Sequence, residues 1–209
     1  MSATNDPCQF QFDLPPQPYP ARELNEVIHK SAWRAAPLAT SKREPGEIEL
    51  IVIHATAGSS TEGAVSVMTE KRASFHWIVP GRKEAAHGRF VWACAPESRA
   101  AWHVHNRCFH PEICGGAKRL NHRSLGIEIV NDQRGEPFSP WQIEATAEII
   151  AYAMGKYPAL RHVTSHARLD PARRTDPGPL FPWTEFVDRI TENMKRETLS
   201  EPREFHRPR

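Results

Sequence analysis

The feature that most constrains this chain is the run Leu50-Ile51-Val52-Ile53 within "EIELIVIHAT". A half-exposed strand alternates apolar with polar residues, whereas an unbroken apolar run belongs to a strand covered on both faces. The chain must therefore supply packing elements for two sides of one sheet. His54 follows at the C-terminal end of the run.

The remaining patterns supply that cover. In "SLGIEIVN", Leu125, Ile127 and Ile129 point one way and Gly126, Glu128 and Val130 the other. "ASFHWIVP" and "GRFVWACAP" read as short strands joined across "GRKEAAHG". "TEGAVSVMTE" reads as a helix that Thr61 caps. "SPWQIEATAEIIAYAMGKYP" opens with Ser139 as N-cap, Pro140 at the first helical position and Gln142 at capping-box spacing. Its Ile143, Ala147, Ile150, Met154 and Tyr157 form an apolar stripe. A last helix from about Trp183 carries Val187, Ile190 and Met194 on one side.

This order predicts an α/β chain of mixed α+β type: a single domain with a central mixed β-sheet flanked by helices. The domain is expected over residues 45–199. Residues 1–44 read as a Pro-rich N-terminal arm lying over it, with a short helix around 23–33, and residues 200–209 as a polar tail.

With 209 residues the chain is long enough for one real core. Its formal net charge of +2 comes without a basic stripe, which argues against a nucleic-acid partner and remains compatible with an anionic polymer such as a cell wall. No apolar stretch approaches the ~20 residues that span a bilayer, so no membrane partner is expected. "MSATNDPCQFQFDLPPQPYP" contains no basic residue and no apolar core, so it does not read as a secretory signal, and a cytoplasmic location as synthesised is expected. Cys8, Cys94, Cys108 and Cys114 are too irregularly spaced for a disulfide framework. "RCFHPEICGG" leaves three readings open: incidental thiols, a Cys108–Cys114 bridge, or a second metal site with His110.

The chemistry gathers in "SHARLDPARRTDPG", where His166 and Asp176 stand ten positions apart among two prolines and three arginines. The tract looks too broken for a helix and too charged for a core strand. Taken alone, it reads as a surface histidine and an ordinary Asp-Pro-Gly turn. With His54, however, two imidazoles and one carboxylate form a three-ligand set for Zn²⁺ with a fourth position open. An ion so held lowers the pKa of a bound water to about 7. Spacing leaves open whether residues 54 and 166 meet.

Five blocks in order, "VIHAT" (52–56), "SFHWIV" (74–79), "RAAWHV" (99–104), "LGIEIV" (125–130) and "SHARLDPARRTDPGPLFPW" (165–183), resemble the zinc-dependent N-acetylmuramoyl-L-alanine amidases. That family shares its fold with the peptidoglycan recognition proteins and small phage amidases. The resemblance runs over about residues 47–190. It implies hydrolysis of the bond between the lactyl group of N-acetylmuramic acid and L-alanine, with peptidoglycan or muropeptide as substrate. It also implies that His54, His166 and Asp176 hold Zn²⁺.

Glu128 matches the family's catalytic glutamate, a general base and then acid, against the alternative of a solvent-exposed polar face. Arg174 stands where many members have lysine. It can stabilise an oxyanion but not donate a proton at neutral pH. Phe75 replaces a tyrosine of some relatives, which shifts the burden to Glu128, and His76 reads as a packing or supporting histidine. Trp102 and His103 match a substrate-touching segment, Trp102 stacking on sugar or packing in the core and His103 hydrogen-bonding the peptide.

The main alternative is a non-catalytic recognition module, which in this family typically lacks a zinc ligand. A peptidase of another class is disfavoured because no H-E-x-x-H is present. A purely structural phage component is disfavoured by the intact ligand set. Between muropeptide recycling and a phage-type endolysin, the sequence leans slightly to the lysin.

Overall fold

A computed structural model describes residues 6–14, 41–70 and 72–199. The helix expected around 23–33 and the tail 200–209 lie outside these residues. Strand β3, Leu50–Ala55, is buried at all six positions, as its unbroken apolar run requires. It lies between two parallel neighbours, β7 (Ser124–Ile129) and β8 (His162–Ser165). β4 (Trp77–Val79) continues the sheet parallel to β7, and β5 (Trp92–Ala93) pairs with β4 antiparallel. On the other edge β1, Gln11–Asp13, runs antiparallel to β8. The sheet order is β1-β8-β3-β7-β4-β5. A separate two-stranded ladder joins β2 (Ser41–Lys42) to β6 (Arg99–Ala100).

Alternation along β7 sorts the two faces. Leu125, Ile127 and Ile129 join Ile51 and Ile53 in the main core under helices α3 (Pro140–Lys156) and α5 (Trp183–Leu199). The predicted stripe of α3, from Ile143 to Tyr157, is buried there. On α5, Ile190 and Met194 are buried, but Val187 is only half-buried and Phe186 takes its place. The opposite face is covered in two patches. Leu50 and Val52 pack with Val104, Ile113, Leu169 and Leu120, the first residue of α2 (Leu120–Arg123). Ile78 and Val130 pack with Ala64 and Met68 of α1, Thr61–Thr69.

The capping box of α3 forms as predicted. The Gln142 N–H donates to Ser139 Oγ (3.1 Å), and the Ser139 N–H donates to Gln142 Oε1 (3.0 Å). In α1 the cap is Ser60, one residue before the predicted Thr61, and accepts from the Gly63 N–H at 3.1 Å. Thr61 is instead the first helical residue, and its N–H and hydroxyl both donate to the Glu84 carboxylate.

The tract from 165 to 178 is also more regular than expected. Ser165 closes β8 and caps a single helical turn, α4 (His166–Leu169), by accepting from the Arg168 N–H at 3.0 Å. One turn needs only that cap. Pro171 then holds Asp170 out of the helical region (φ −142°) and ends it.

Two segments before residue 45 pair with the body. β1 lies between Pro7 and Pro15 and contains no proline, so its ladder donors are intact, and Phe10 beside it stacks on Trp183 with ring centroids 4.1 Å apart. Arg43 is buried, donating to the carbonyl oxygens of Glu97 (2.9 Å), Asn121 (3.2 Å) and Ser124. Burial pulls its pKa down to about 10. The four cysteines are free, so the Cys108–Cys114 bridge does not form. The Cys108 thiol instead donates to the Asp170 carboxylate, and burial pushes the Cys108 and Cys114 thiols up to about 11 and about 12.

Candidate metal centre

His54 is the fifth residue of β3. Ile53 is the register partner of Ser165 on β8, so His166, the next residue, emerges at the same end of the sheet. The chain then turns back, and the Asp176 carbonyl accepts from the Ala167 N–H at 3.1 Å, which fixes the path of the loop. Three donor atoms meet as a result. His54 Nδ1 lies 3.0 Å from His166 Nδ1, and Asp176 Oδ2 lies 3.1 Å from each of those nitrogens.

All three residues are buried, and among the described residues this is the group of histidine, cysteine or acidic side chains that could hold a metal ion. Metal–ligand bonds of about 2.0–2.1 Å at tetrahedral angles set donor atoms about 3.3 Å apart, so the triangle fits an ion with little adjustment. Cys108, His110 and Cys114 form no such group.

The electrostatics favour ligand-competent forms. Burial, reinforced by His166, pushes His54 down to about 4, which keeps it neutral at pH 7. For Asp176, burial works in the opposite direction. The neighbouring His166 and His54 imidazoles outweigh it and hold the carboxyl well below the usual carboxylate range.

The triangle lines a pocket of about 570 Å³. Glu128 lines the same pocket at 4% exposure, on the face of β7 away from Ile127 and Ile129, so it is not part of a solvent-exposed face. Burial pushes its carboxyl well above the usual range and the Asp176 charge adds to this, while Arg174 pulls the other way. Arg174, Arg173 and Arg72 make the wall cationic, and Phe75 supplies apolar surface. Arg168 pairs with Glu112 at 3.0 Å. A more open cleft of about 750 Å³ lies between residues 6–10 and the start of α5, and its lining includes none of the three donor residues.

Trp102 is 47% exposed, which rules out the core-packing alternative for it. Its backbone is held by Ser74, whose Oγ accepts from the Trp102 N–H at 2.7 Å. His103 is buried behind His54, with Nδ1 3.0 Å from His54 Nε2 and Nε2 3.1 Å from Ser124 Oγ. Both ring nitrogens are thus engaged within the protein, and neither remains for the peptide hydrogen bond expected of this residue. His76 stands apart from the triangle. Its Nδ1 accepts from the Gly126 N–H at 2.9 Å, and its Nε2 lies 3.1 Å from the Arg99 carbonyl oxygen.

Sequence reasoning passed over Ser124, Asn121 and Gly126, which surround His103. One signal was available, since a glycine inside an apolar strand marks a close approach. A Cβ on Gly126 would lie 2.6 Å from His103 Cγ.

Comparison with known proteins agrees with this geometry. The family model described as N-acetylmuramoyl-L-alanine amidase matches residues 44–179. The N-acetylmuramoyl-L-alanine amidase AmiD of Escherichia coli K12 is 30% identical over 173 residues, covering 77% of this chain and 60% of the relative. The 1,6-anhydro-N-acetylmuramyl-L-alanine amidase AmpD of Enterobacter cloacae is 31% identical over 103 residues, 49% of this chain and 52% of the relative. The chain thus spans about half to three-fifths of the length of these curated relatives.

A solved complex of the E. coli AmiD with the substrate anhydro-N-acetylmuramic acid-L-Ala-D-gamma-Glu-L-Lys superposes with a TM-score of 0.59 at 30% identity, over 72% of this chain and 60% of that one. Pseudomonas aeruginosa AmpDh3 gives a TM-score of 0.60 at 22% identity, over 87% and 76%, a likeness of fold. With the family model reaching from the approach to β3 through Asp176, the chain belongs to the N-acetylmuramoyl-L-alanine amidase family.

Proposed function

We propose that the protein hydrolyses the amide bond between the lactyl group of N-acetylmuramic acid and L-alanine in muropeptides, with Zn²⁺ held by His54, His166 and Asp176. The observation that carries this reading is the buried donor triangle on the pocket that Glu128 also lines, in a member of this family. Two imidazoles and a carboxylate suit zinc, which when bound would supply a Lewis acid for water and carbonyl oxygen.

The residues of this chain do the rest. Glu128 accepts a proton from the attacking water as the new C–O bond forms. It returns that proton to the L-alanine nitrogen as the C–N bond breaks. Arg174 contributes positive charge on the wall where the oxyanion develops. Trp102 offers an exposed aromatic face to the sugar.

Soluble muropeptide is favoured over intact wall because the AmiD structure holds an anhydro-muramyl tripeptide and the AmpD relatives are named for 1,6-anhydro substrates. A solved structure named as an endolysin, from Clostridium intestinale, resembles this chain at only 17% identity, a likeness of fold that lends the endolysin reading no further weight. The recognition-module reading is disfavoured by the complete ligand set beside Glu128. No helix among the described residues is long and apolar enough to cross a membrane.

The test is incubation with an anhydro-muramyl tripeptide and with intact peptidoglycan, with and without chelator, and identification of products by mass. Release of a stem peptide with a free L-alanine amine, abolished by chelator and restored by zinc, is expected. Tight binding without cleavage by the zinc-loaded protein would establish a recognition module instead.

A further inference from the structure

Followed outward from the Leu120 carbonyl, the hydrogen bonds behind His54 run in one direction. The Ser124 hydroxyl donates to the Leu120 carbonyl oxygen at 2.7 Å, and a carbonyl can only accept. Ser124 has a single hydroxyl hydrogen, so its oxygen must accept at the 3.1 Å contact with His103 Nε2. Neutral His103 therefore carries its proton on Nε2 and presents a lone pair at Nδ1. His54 Nε2, 3.0 Å away, must then be the donor. With its proton on Nε2, His54 is left with a lone pair at Nδ1, the atom that meets His166 and Asp176.

The surroundings hold His103 in this role. Its ring rests on Gly126, where an added Cβ would come within 2.6–2.9 Å of three ring atoms. The backbone N–H groups of His103 and Val104 both donate to Asn121 Oδ1, at 3.2 and 3.0 Å, while Asn121 Nδ2 donates to the Val104 carbonyl oxygen at 2.8 Å. His54, His103, Asn121 and Ser124 are all buried.

We propose that His103, oriented by Ser124 and seated on Gly126, is a positioning residue that fixes the tautomer of His54 and so makes its Nδ1 available to a metal ion. The metal half of this inference rests on the zinc reading above; the tautomer half does not. Ligating histidines usually donate their second N–H to a carboxylate, a carbonyl or water, and partners of this kind are worth about 10–100-fold in metal affinity. Here the partner is a second histidine, whose own direction is set by the Leu120 carbonyl.

The experiment has two readouts. Proton–nitrogen NMR of the imidazoles in metal-free protein should show both His54 and His103 protonated at Nε2. In His103→Leu the His54 signals should shift to a mixture of tautomers. Zinc affinity, measured by competition with a chromophoric chelator, should fall about 10–100-fold in His103→Leu. In His103→Asn, whose amide oxygen can stand in place of Nδ1, most of that loss should be recovered. Ser124→Ala removes only the hydroxyl and serves if His103→Leu does not fold. It should disturb the His103 tautomer and weaken zinc binding severalfold.

His54 protonated at Nδ1 in the wild-type protein would overturn the proposal. So would zinc affinity within threefold of wild type in His103→Leu, or equal losses in His103→Asn and His103→Leu, which would mark His103 as packing alone. If the wild-type protein binds no zinc, the functional reading fails while the NMR result still decides the role of His103.

Discussion

His54 and Glu128 are direct register partners across the parallel pairing of β3 and β7, so one strand carries an imidazole of the donor triangle and its neighbour the carboxylate. Adjacent strands lie about 4.8 Å apart, and paired residues point to the same face. Ile53 and Ile127, one step back, are likewise partners and point into the core. A buried carboxylate is costly, and here it stands at the pocket rather than among those apolar neighbours.

Replacing Glu128 by glutamine preserves shape and removes the proposed base. Zinc content should stay near one per chain, and turnover should fall by about 10²–10⁴-fold. Steady-state kinetics alongside elemental analysis checks this, and an unchanged rate would move the base to another group.

Asp176→Ala should abolish both zinc binding and turnover while leaving a folded chain. The Ala167 N–H bonds to the backbone carbonyl of Asp176, which the substitution retains. Circular dichroism and zinc content read the two effects separately, and full activity in a zinc-free variant would remove Asp176 from the ligand set.

Arg174 is tied to Asp170 only through its backbone N–H, so Arg174→Ala should leave the loop in place. Turnover should fall by about 10²-fold with zinc occupancy intact, and Arg174→Lys should recover part of it. Loss of zinc in Arg174→Ala would assign the side chain to the loop instead of the oxyanion.

Trp102 lies outside the pocket wall and is held by backbone bonds to Ser74, so Trp102→Ala should change the melting temperature little. An aromatic contact worth about 0.5–1.5 kcal/mol predicts a KM raised severalfold with kcat nearly constant. Equal KM values for the two proteins would place the sugar elsewhere.

His76 governs part of the acid stability. Burial, and then the Arg43 charge, lowers its pKa well below the usual value, so the unfolded chain takes up a proton that the folded chain refuses. Stability should be level above about pH 6.5 and decline below it by up to about 1.4 kcal/mol per pH unit for this one group. His76→Asn keeps an acceptor for the Gly126 N–H and removes the titration. Urea unfolding in chelator at pH 7.0, 5.5 and 4.5 should show a shallower acid decline for the variant, and identical slopes would assign the decline to other groups.

Legibility in the sequence followed the range of the interaction. The two faces of β7, the capping box at Ser139 and the stripe of α3 depend on residues two to four positions apart, and their patterns were readable directly. Where two neighbours had nearly equal claims, as Ser60 and Thr61 did for the cap of α1, the pattern slipped by one residue, because the Glu84 carboxylate that takes Thr61 lies 23 positions away. The single turn of α4 was hidden by the prolines and arginines around it, although Ser165 was there to cap it. Family resemblance named the candidate ligand residues, yet His54 and His166 are 112 positions apart, and what joins them is the parallel pairing of β3 with β8.

His103 shows the same division most clearly. The resemblance of the Trp102–His103 segment to the family suggested substrate contact. Its actual partners are His54, Ser124 and the open space above Gly126, brought together by the fold. Periodicity and capping are local physics that a sequence carries by itself. The direction of a buried hydrogen bond is set by every group that reaches it, and only the packed tertiary structure specifies which groups those are.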